Sequence, residues 1–190
     1  MPLPRRTRLA LAPAALVLAG TGLLACQPTT SPEACNGTIG AVTVEDVKVP
    51  RGATCTLDGT RVQGNVTIDG GGTLKAVRTT VGGNVQSQGH RLVTIREGSR
   101  VGGSVQLESG GEVQVADSRV DGSVQLKANT ARAGVARTVV GSDVQLFSNR
   151  GALASQNRIE GNLQCKTNTP APTGGANIVA GNKEDQCKNL

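Results

Sequence analysis

The stretch RVGGSVQLESGGEVQVADSRVDGSVQL, residues 100–126, decides the fold, because it states one phrase twice: RVGGSVQL at 100–107 and RVDGSVQL at 119–126. The phrase recurs as RVQGNVTI (61–68), TVGGNVQS (80–87), VVGSDVQL (139–146) and RIEGNLQC (158–165). Its first apolar positions, Val62, Val81, Val101, Val120, Val140 and Ile159, follow one another at steps of 19 or 20 residues. A degraded copy starts at Val179 and a partial one near Val42. A unit this short cannot bury an apolar side by itself, whereas stacked copies bury one continuously.

Inside each copy the apolar residues alternate with polar ones, which is the rhythm of a strand and not of a helix. Val66, Val85, Val105, Val124, Val144 and Leu163 fall in one inward column. Ile68, Leu107, Leu126, Leu146 and Cys165 fall in a second, with Ser87 as its exception. Shorter apolar pieces around residues 55, 74, 93 and 113 supply another strand per copy. A column of Gly64, Gly83, Gly103, Gly122, Gly161 and Gly181 is expected at a corner free of Cβ atoms. Beside it run Asn65, Asn84, Ser104, Ser123, Asn162 and Asn182, residue types suited to turns and side-chain ladders.

The expected fold is all-β, a single-stranded parallel β-helix (β-solenoid) of about seven rungs of 19–20 residues. The strict hexapeptide rhythm of left-handed versions is missing, which favours a right-handed coil. Composition agrees. There are 26 glycines in 190 residues, one Phe and no Trp or Tyr, so the core is thin and built from small side chains.

The first 25 residues read as an export signal: Arg5, Arg6 and Arg8, then an apolar run too short and too broken by Pro13, Gly20 and Gly22 to span a membrane. The run ends in Leu23-Leu24-Ala25-Cys26, which resembles a bacterial lipobox and implies lipidation of Cys26. Residues 26–34 then form a lipidated Cys and polar tether, and residues 35–190 the β-helix domain. Assigning Cys26 to lipid leaves four cysteines, an even number that an oxidising compartment would pair. Cys35 and Cys55 are 20 residues apart, or one rung. Cys165 and Cys187 are 22 apart, one rung plus the two residues by which GNKEDQC exceeds GNLQC. Strands on neighbouring rungs lie within disulfide reach, so the pairs Cys35–Cys55 and Cys165–Cys187 are expected to staple the two ends. The Pro-rich segment 167–176 is expected to fold over the C-terminal end as a cap.

Removing the three signal arginines from the 20 basic residues leaves 17 against 14 acidic ones. That near balance, with no aromatics on which bases could stack, argues against a nucleic-acid partner. No catalytic constellation is legible. Of Asp46, Asp58, Asp69, Asp117, Asp121, Asp143 and Asp185, Asp121 and Asp143 fall in different columns of adjacent rungs and Asp117 is set off from Asp121 by a corner. No triad converges, and glycoside hydrolysis needs two carboxyls held at a set separation. His90, the one histidine, is expected to be a solvated loop residue. No metal or cofactor is expected, since the cysteine spacings suit disulfides and there is no second His.

Two outward columns are candidates for a binding face: Gln86, Gln106, Gln125, Gln145 and Gln164, and Arg61, Arg100, Arg119 and Arg158, the latter interrupted by Thr80 and Val139. Regularly spaced donors on a rigid surface suit a repeating envelope glycan or anionic wall polymer. The repeat phrase, ATCTLDGT at 53–60 and GNLQCKTNTPAPTGGANIVAGNKEDQC at 161–187 together resemble a family of secreted bacterial repeat proteins of unassigned function. That resemblance implies a β-helix and an envelope location, without an activity. The rhythm also resembles bactofilins, which polymerise end to end. The expectation is therefore a non-enzymatic, lipid-anchored envelope protein with the membrane as one partner. A polysaccharide-binding or polysaccharide-active protein and a self-assembling scaffold are the alternatives.

Overall fold

The computed structural model describes residues 31–190, so the export signal and Cys26 lie outside the described residues. Every regular element among the described residues is a strand, and every strand pairing is parallel. The chain visits three sheets in strict rotation, one strand on each per turn, and so builds a three-faced prism. One face carries nine strands, from Glu33–Ala34 to Lys183–Asp185; it holds the glutamine column and is called here the Gln face. The Arg face carries eight two-residue strands, from Thr43–Val44 to Ile178–Val179. The third face also carries eight, from Gly37–Ile39 to Thr173–Gly175.

The solenoid therefore has about eight turns, one more than the repeat phrase alone indicates. The additional turn is the worn first copy. Its first inward position is Val44, which pairs with Val62, while Val42 lies outside at 55% exposure. The first strand, Glu33–Ala34, pairs with Val47–Lys48, so strand pairing starts inside the segment assigned to the tether.

Both inward columns of the Gln face stack in register, with Val85 against Val105 and Leu107 against Leu126. In one central turn Val113, Val115, Val120, Val124 and Leu126 are all at most 1% exposed. Burial of such side chains contributes about 1.5–3 kcal/mol each, which explains how a core without aromatics holds. Ser87 stands where Leu107 and Leu126 stand in later turns, and its hydroxyl is satisfied by donating to the Ile68 carbonyl at 2.8 Å.

The corners show why the sequence changes character between strands. None of the glycines of the 64–181 column has a positive φ; what excludes a side chain is close stacking. A Cβ on Gly83 would lie 2.8 Å from the Gly64 carbonyl oxygen. The adjoining column forms the expected ladder. The Asn84 amide N–H donates to Asn65 Oδ1 (2.9 Å), Ser104 N–H to Asn84 Oδ1 (2.7 Å) and Asn182 N–H to Asn162 Oδ1 (2.8 Å). Asp143 belongs to this ladder, accepting from the Asn162 N–H, and Asp46 likewise accepts from the Asn65 N–H.

The other two corners contain positive-φ residues that are not glycine, including Asp117, Ala128, Arg137, Ser148 and Gln156. In each of these cases a buried polar residue follows. Asn129, Asn149 and Asn168 form one such ladder, each Nδ2 donating to a leucine carbonyl of the preceding turn. Thr138, Asn157 and Asn177 form part of another. These side chains satisfy buried backbone groups that the turn takes out of the sheets.

Both disulfides are present, with Cα–Cα distances of 5.4 Å for Cys35–Cys55 and 5.2 Å for Cys165–Cys187. Neither joins strand-register partners. Cys55 stands opposite Gly37, and Cys165 opposite Asp185, so each bond reaches two residues off register. At the first end this follows from a short turn, 18 residues from Gly37 to Cys55. The Pro-rich segment is not a cap. Asn168 joins the buried ladder and Thr173–Gly175 pairs with Leu153–Ser155, because the last turn still needs a third-face strand. The C-terminal end is closed by Gln186–Leu190, with Cys187 buried and Leu190 packed on the core.

Each staple closes a loop of about 20 residues, for which chain entropy gives about 3 kcal/mol. Cys35→Ala with Cys55→Ala, or Cys165→Ala with Cys187→Ala, should lower stability by about that amount in urea melts. Because neighbouring turns alone contact one another, hydrogen exchange should quicken first at the unstapled end and stay slow around residues 105–126.

Candidate functional site

The Gln column lies in register along one face: Gln86, Gln106, Gln125, Gln145, Gln164, preceded by Lys48 and Thr67 and ended by Glu184. The amides are partly linked. Gln86 Nε2 donates to Gln106 Oε1 (2.7 Å), Gln145 Nε2 to Gln164 Oε1 (2.9 Å), and Gln164 Nε2 to a Glu184 carboxylate oxygen (3.0 Å). Two residues further on, each strand points a second side chain outward, giving the column Gln88, Glu108, Lys127, Phe147, Lys166. An open groove of about 590 Å³ borders Gln86 and Gln106, with Arg51, Asp69, Gln88 and Glu108 around it.

The arginine column is on another face, beyond the Gly/Asn corner, so a single flat ligand cannot cover both columns. Its charges are largely engaged. Arg100 and Arg119 both reach Asp121 at 2.6 Å, and Arg158 reaches Glu160 at 3.0 Å. Desolvation alone would raise the Asp121 carboxyl, but hydrogen bonds from Arg119 and Arg100 outweigh it and hold the group below its ordinary range. Among the described residues Arg61 has no such partner, and Thr80 and Val139 interrupt the row.

Asp46 and Asp143 are ladder members several turns apart, and the other aspartates are dispersed. Asp117 lies on the corner, held below the usual carboxylate range by a hydrogen bond from Arg137 at 2.6 Å. Asp58 pairs with Arg78, and Asp69 with Lys48 at 3.3 Å. Among the described residues no group of three His, Cys, Asp or Glu side chains converges.

His90 departs from expectation: it is 2% exposed. It follows the positive-φ Gly89 as Asn129 follows Ala128 and Asn149 follows Ser148, so it occupies the corner position that asparagines fill in later turns. Among the described residues neither ring nitrogen has a hydrogen-bond partner. The ring occupies space made by Gly110, where a Cβ would run into it. Desolvation lowers its pKa to about 4. The sequence carried a signal for this, the parity of His90 with Asn129 and Asn149, but the loop's glycines obscured it. Sequence reasoning counted Phe147 but did not place it: the sole aromatic stands at an outward strand position two residues after Gln145.

Fold and surface together define the class, a disulfide-stapled, three-faced parallel β-solenoid whose faces carry polar columns. Compared with known proteins, the chain matches no family model, no curated protein and no solved structure.

The buried histidine makes stability depend on pH. With a folded pKa of about 4 against 6.5 in the unfolded chain, His90 is neutral in both states above about pH 7 and stability is then full. Between about pH 6.5 and 4 only the unfolded chain takes up the proton, so stability falls with pH and levels off below the folded value. His90→Asn should remove this component from urea midpoints measured across the range. Gly110→Asn alone should cost about 1–3 kcal/mol through overpacking. Combined with His90→Asn, it should return to within about 1 kcal/mol of the single His90→Asn variant, since the asparagine ladder then runs on without a clash.

Proposed function

We propose that this chain is an exported, lipid-anchored envelope protein whose rigid solenoid presents a binding face to an envelope polymer, in a structural and not a catalytic role. The observation that carries the reading is the Gln face, a register-locked array of outward amides repeated at the rung spacing on a prism stapled at both ends. Donors at a fixed spacing suit a ligand that itself repeats, and a stiff support spares the ordering cost that a flexible one would incur. Two disulfides are consistent with an extracytoplasmic location, and no helix among the described residues is long and apolar enough to cross a membrane. The lipobox-like Leu23-Leu24-Ala25-Cys26 supplies the anchor, and the resemblance to secreted repeat proteins points to the same compartment.

Two measurements check this. Radiolabelled palmitate should enter the wild-type chain in a bacterial host and be lost in Cys26→Ala; equal labelling of both would remove the anchor from the reading. The purified chain should sediment with isolated cell-wall sacculi and remain soluble without them. Pelleting without sacculi would mean self-assembly in the manner of bactofilins. Solubility in both tubes would overturn wall-polymer binding.

A further inference from the structure

We infer that the C-terminal half of the Gln face, centred on Phe147, is a binding site for an anionic polysaccharide chain. The inference rests on the polymer-binding reading above and names the part of the face and the class of ligand.

Phe147 is the sole aromatic residue of the chain, and the fold places it outward instead of in the core. It stands in register with Lys127 on one side and Lys166 on the other. At about 4.8 Å per rung, the two lysines lie about 10 Å apart along the face with the phenyl group midway. Two residues back on the same strands are Gln125, Gln145 and Gln164, so amides run parallel to the cation–aromatic–cation row. Arg132 and Arg150 are exposed near the adjoining corner. There an open hollow of about 650 Å³ is lined by Ser148, Asn149, Arg150, Thr167, Thr169 and Pro170.

Charge distinguishes this row from the largely paired arginine column. Arg51, Arg61, Lys75, Arg91 and Arg96 also have no carboxylate partner among the described residues, but none of them stands in register with an aromatic ring. Arg78, Arg100, Arg119, Arg137, Arg158 and Lys48 all have carboxylate partners. Among the described residues Lys127, Lys166, Arg132 and Arg150 have none within ion-pairing distance. The acids nearest in the two columns are Glu108, one rung before Lys127, and Glu184, which is bonded to Gln164 at the far end. Along one face the outward column thus changes from Gln88 and Glu108 to Lys127, Phe147 and Lys166.

A chain of sugars bearing carboxylate or phosphate groups fits each part of this arrangement. The lysines take two anionic groups, the amides bond ring hydroxyls, and the phenyl group packs against the apolar side of a sugar ring. A nucleic acid fits less well, since successive bases require successive aromatic platforms and this face has one.

The test uses the full-length chain in mild detergent with four immobilised or titrated probes: polygalacturonate, poly(glycerol phosphate), neutral dextran and oligo-dT. The two anionic polymers should bind, added salt should weaken them, and dextran should not bind. Comparing polygalacturonate with poly(glycerol phosphate) distinguishes carboxylate from phosphate as the anionic group. Lys127→Ala with Lys166→Ala should weaken binding about tenfold or more with a melting curve close to wild type, because both lysines are exposed, and Phe147→Ala, which removes a half-buried ring, should weaken it about threefold. Arg100→Ala with Arg119→Ala should leave binding within about twofold, since those charges are already paired. Polyanion binding that survives loss of both lysines, or that follows Arg100 and Arg119, overturns the site; if sacculi still pellet the lysine variant, the wall-binding reading stands with its face elsewhere. Oligo-dT binding equal to or tighter than that of the glycans also overturns the site. If wild type binds neither anionic polymer nor sacculi, both the site and the reading fall.

Discussion

Everything in this molecule depends on the backbone of each turn hydrogen-bonding to the backbone of the next, on three sheets at once. That constraint fixes the rung spacing and forces residues 19 or 20 apart into contact. It also makes like side chains neighbours of like. An inward valine is stacked on a valine, a corner asparagine on an asparagine, and an outward glutamine on a glutamine. Such columns are tolerable only where self-stacking is favourable. Aliphatic groups and amides meet that condition, whereas charges of one sign do not. In the arginine column Thr80 and Val139 leave Arg100 and Arg119 as the one adjacent pair, and Asp121, just past the second strand, bonds to both guanidinium groups.

Because stacking supplies stability turn by turn, the ends are the weak points, and the chemistry changes there. Cys35–Cys55 and Cys165–Cys187 bond each outermost turn to its neighbour, where hydrophobic contact is available from one side only. In the last Gln-face strand Lys183 stands opposite Leu163 and Asp185 opposite Cys165, so the apolar columns stop. A further copy would meet charge there instead of a continuing core.

The fold was legible because its cause is periodic. Val105 and Val124, or Leu107 and Leu126, are inward for a reason that repeats, and period two around a glycine exposes it. The first turn was harder to read, since its 18 residues and the outward Val42 blur the phrase. The grouping of the candidate site was not legible. Arg119 and Gln125 are six residues apart, and whether they share a face depends on the sharpness of the bend at Asp121-Gly122-Ser123, which residue types suggest but do not measure. His90 was misjudged for a related reason. Its burial depends on Gly110, a residue 20 positions away whose missing side chain makes the room.

Repetition also changes how surface residues should be weighed. When a turn is duplicated its outward residues are copied with it, so the regular Gln column offers a repeating surface without marking which part of it a ligand meets. A departure from the column carries more information, since duplication does not produce it. Some departures on this solenoid have structural reasons, such as Ser87 bonding to Ile68 or Gly110 yielding to His90. Phe147 between Lys127 and Lys166 has no such reason: it fills no core position, completes no ladder and neutralises no charge. A half-buried aromatic ring at an outward strand position between two cations without ion pairs is a departure that duplication does not produce, and that makes it the strongest indication of where this surface meets another molecule.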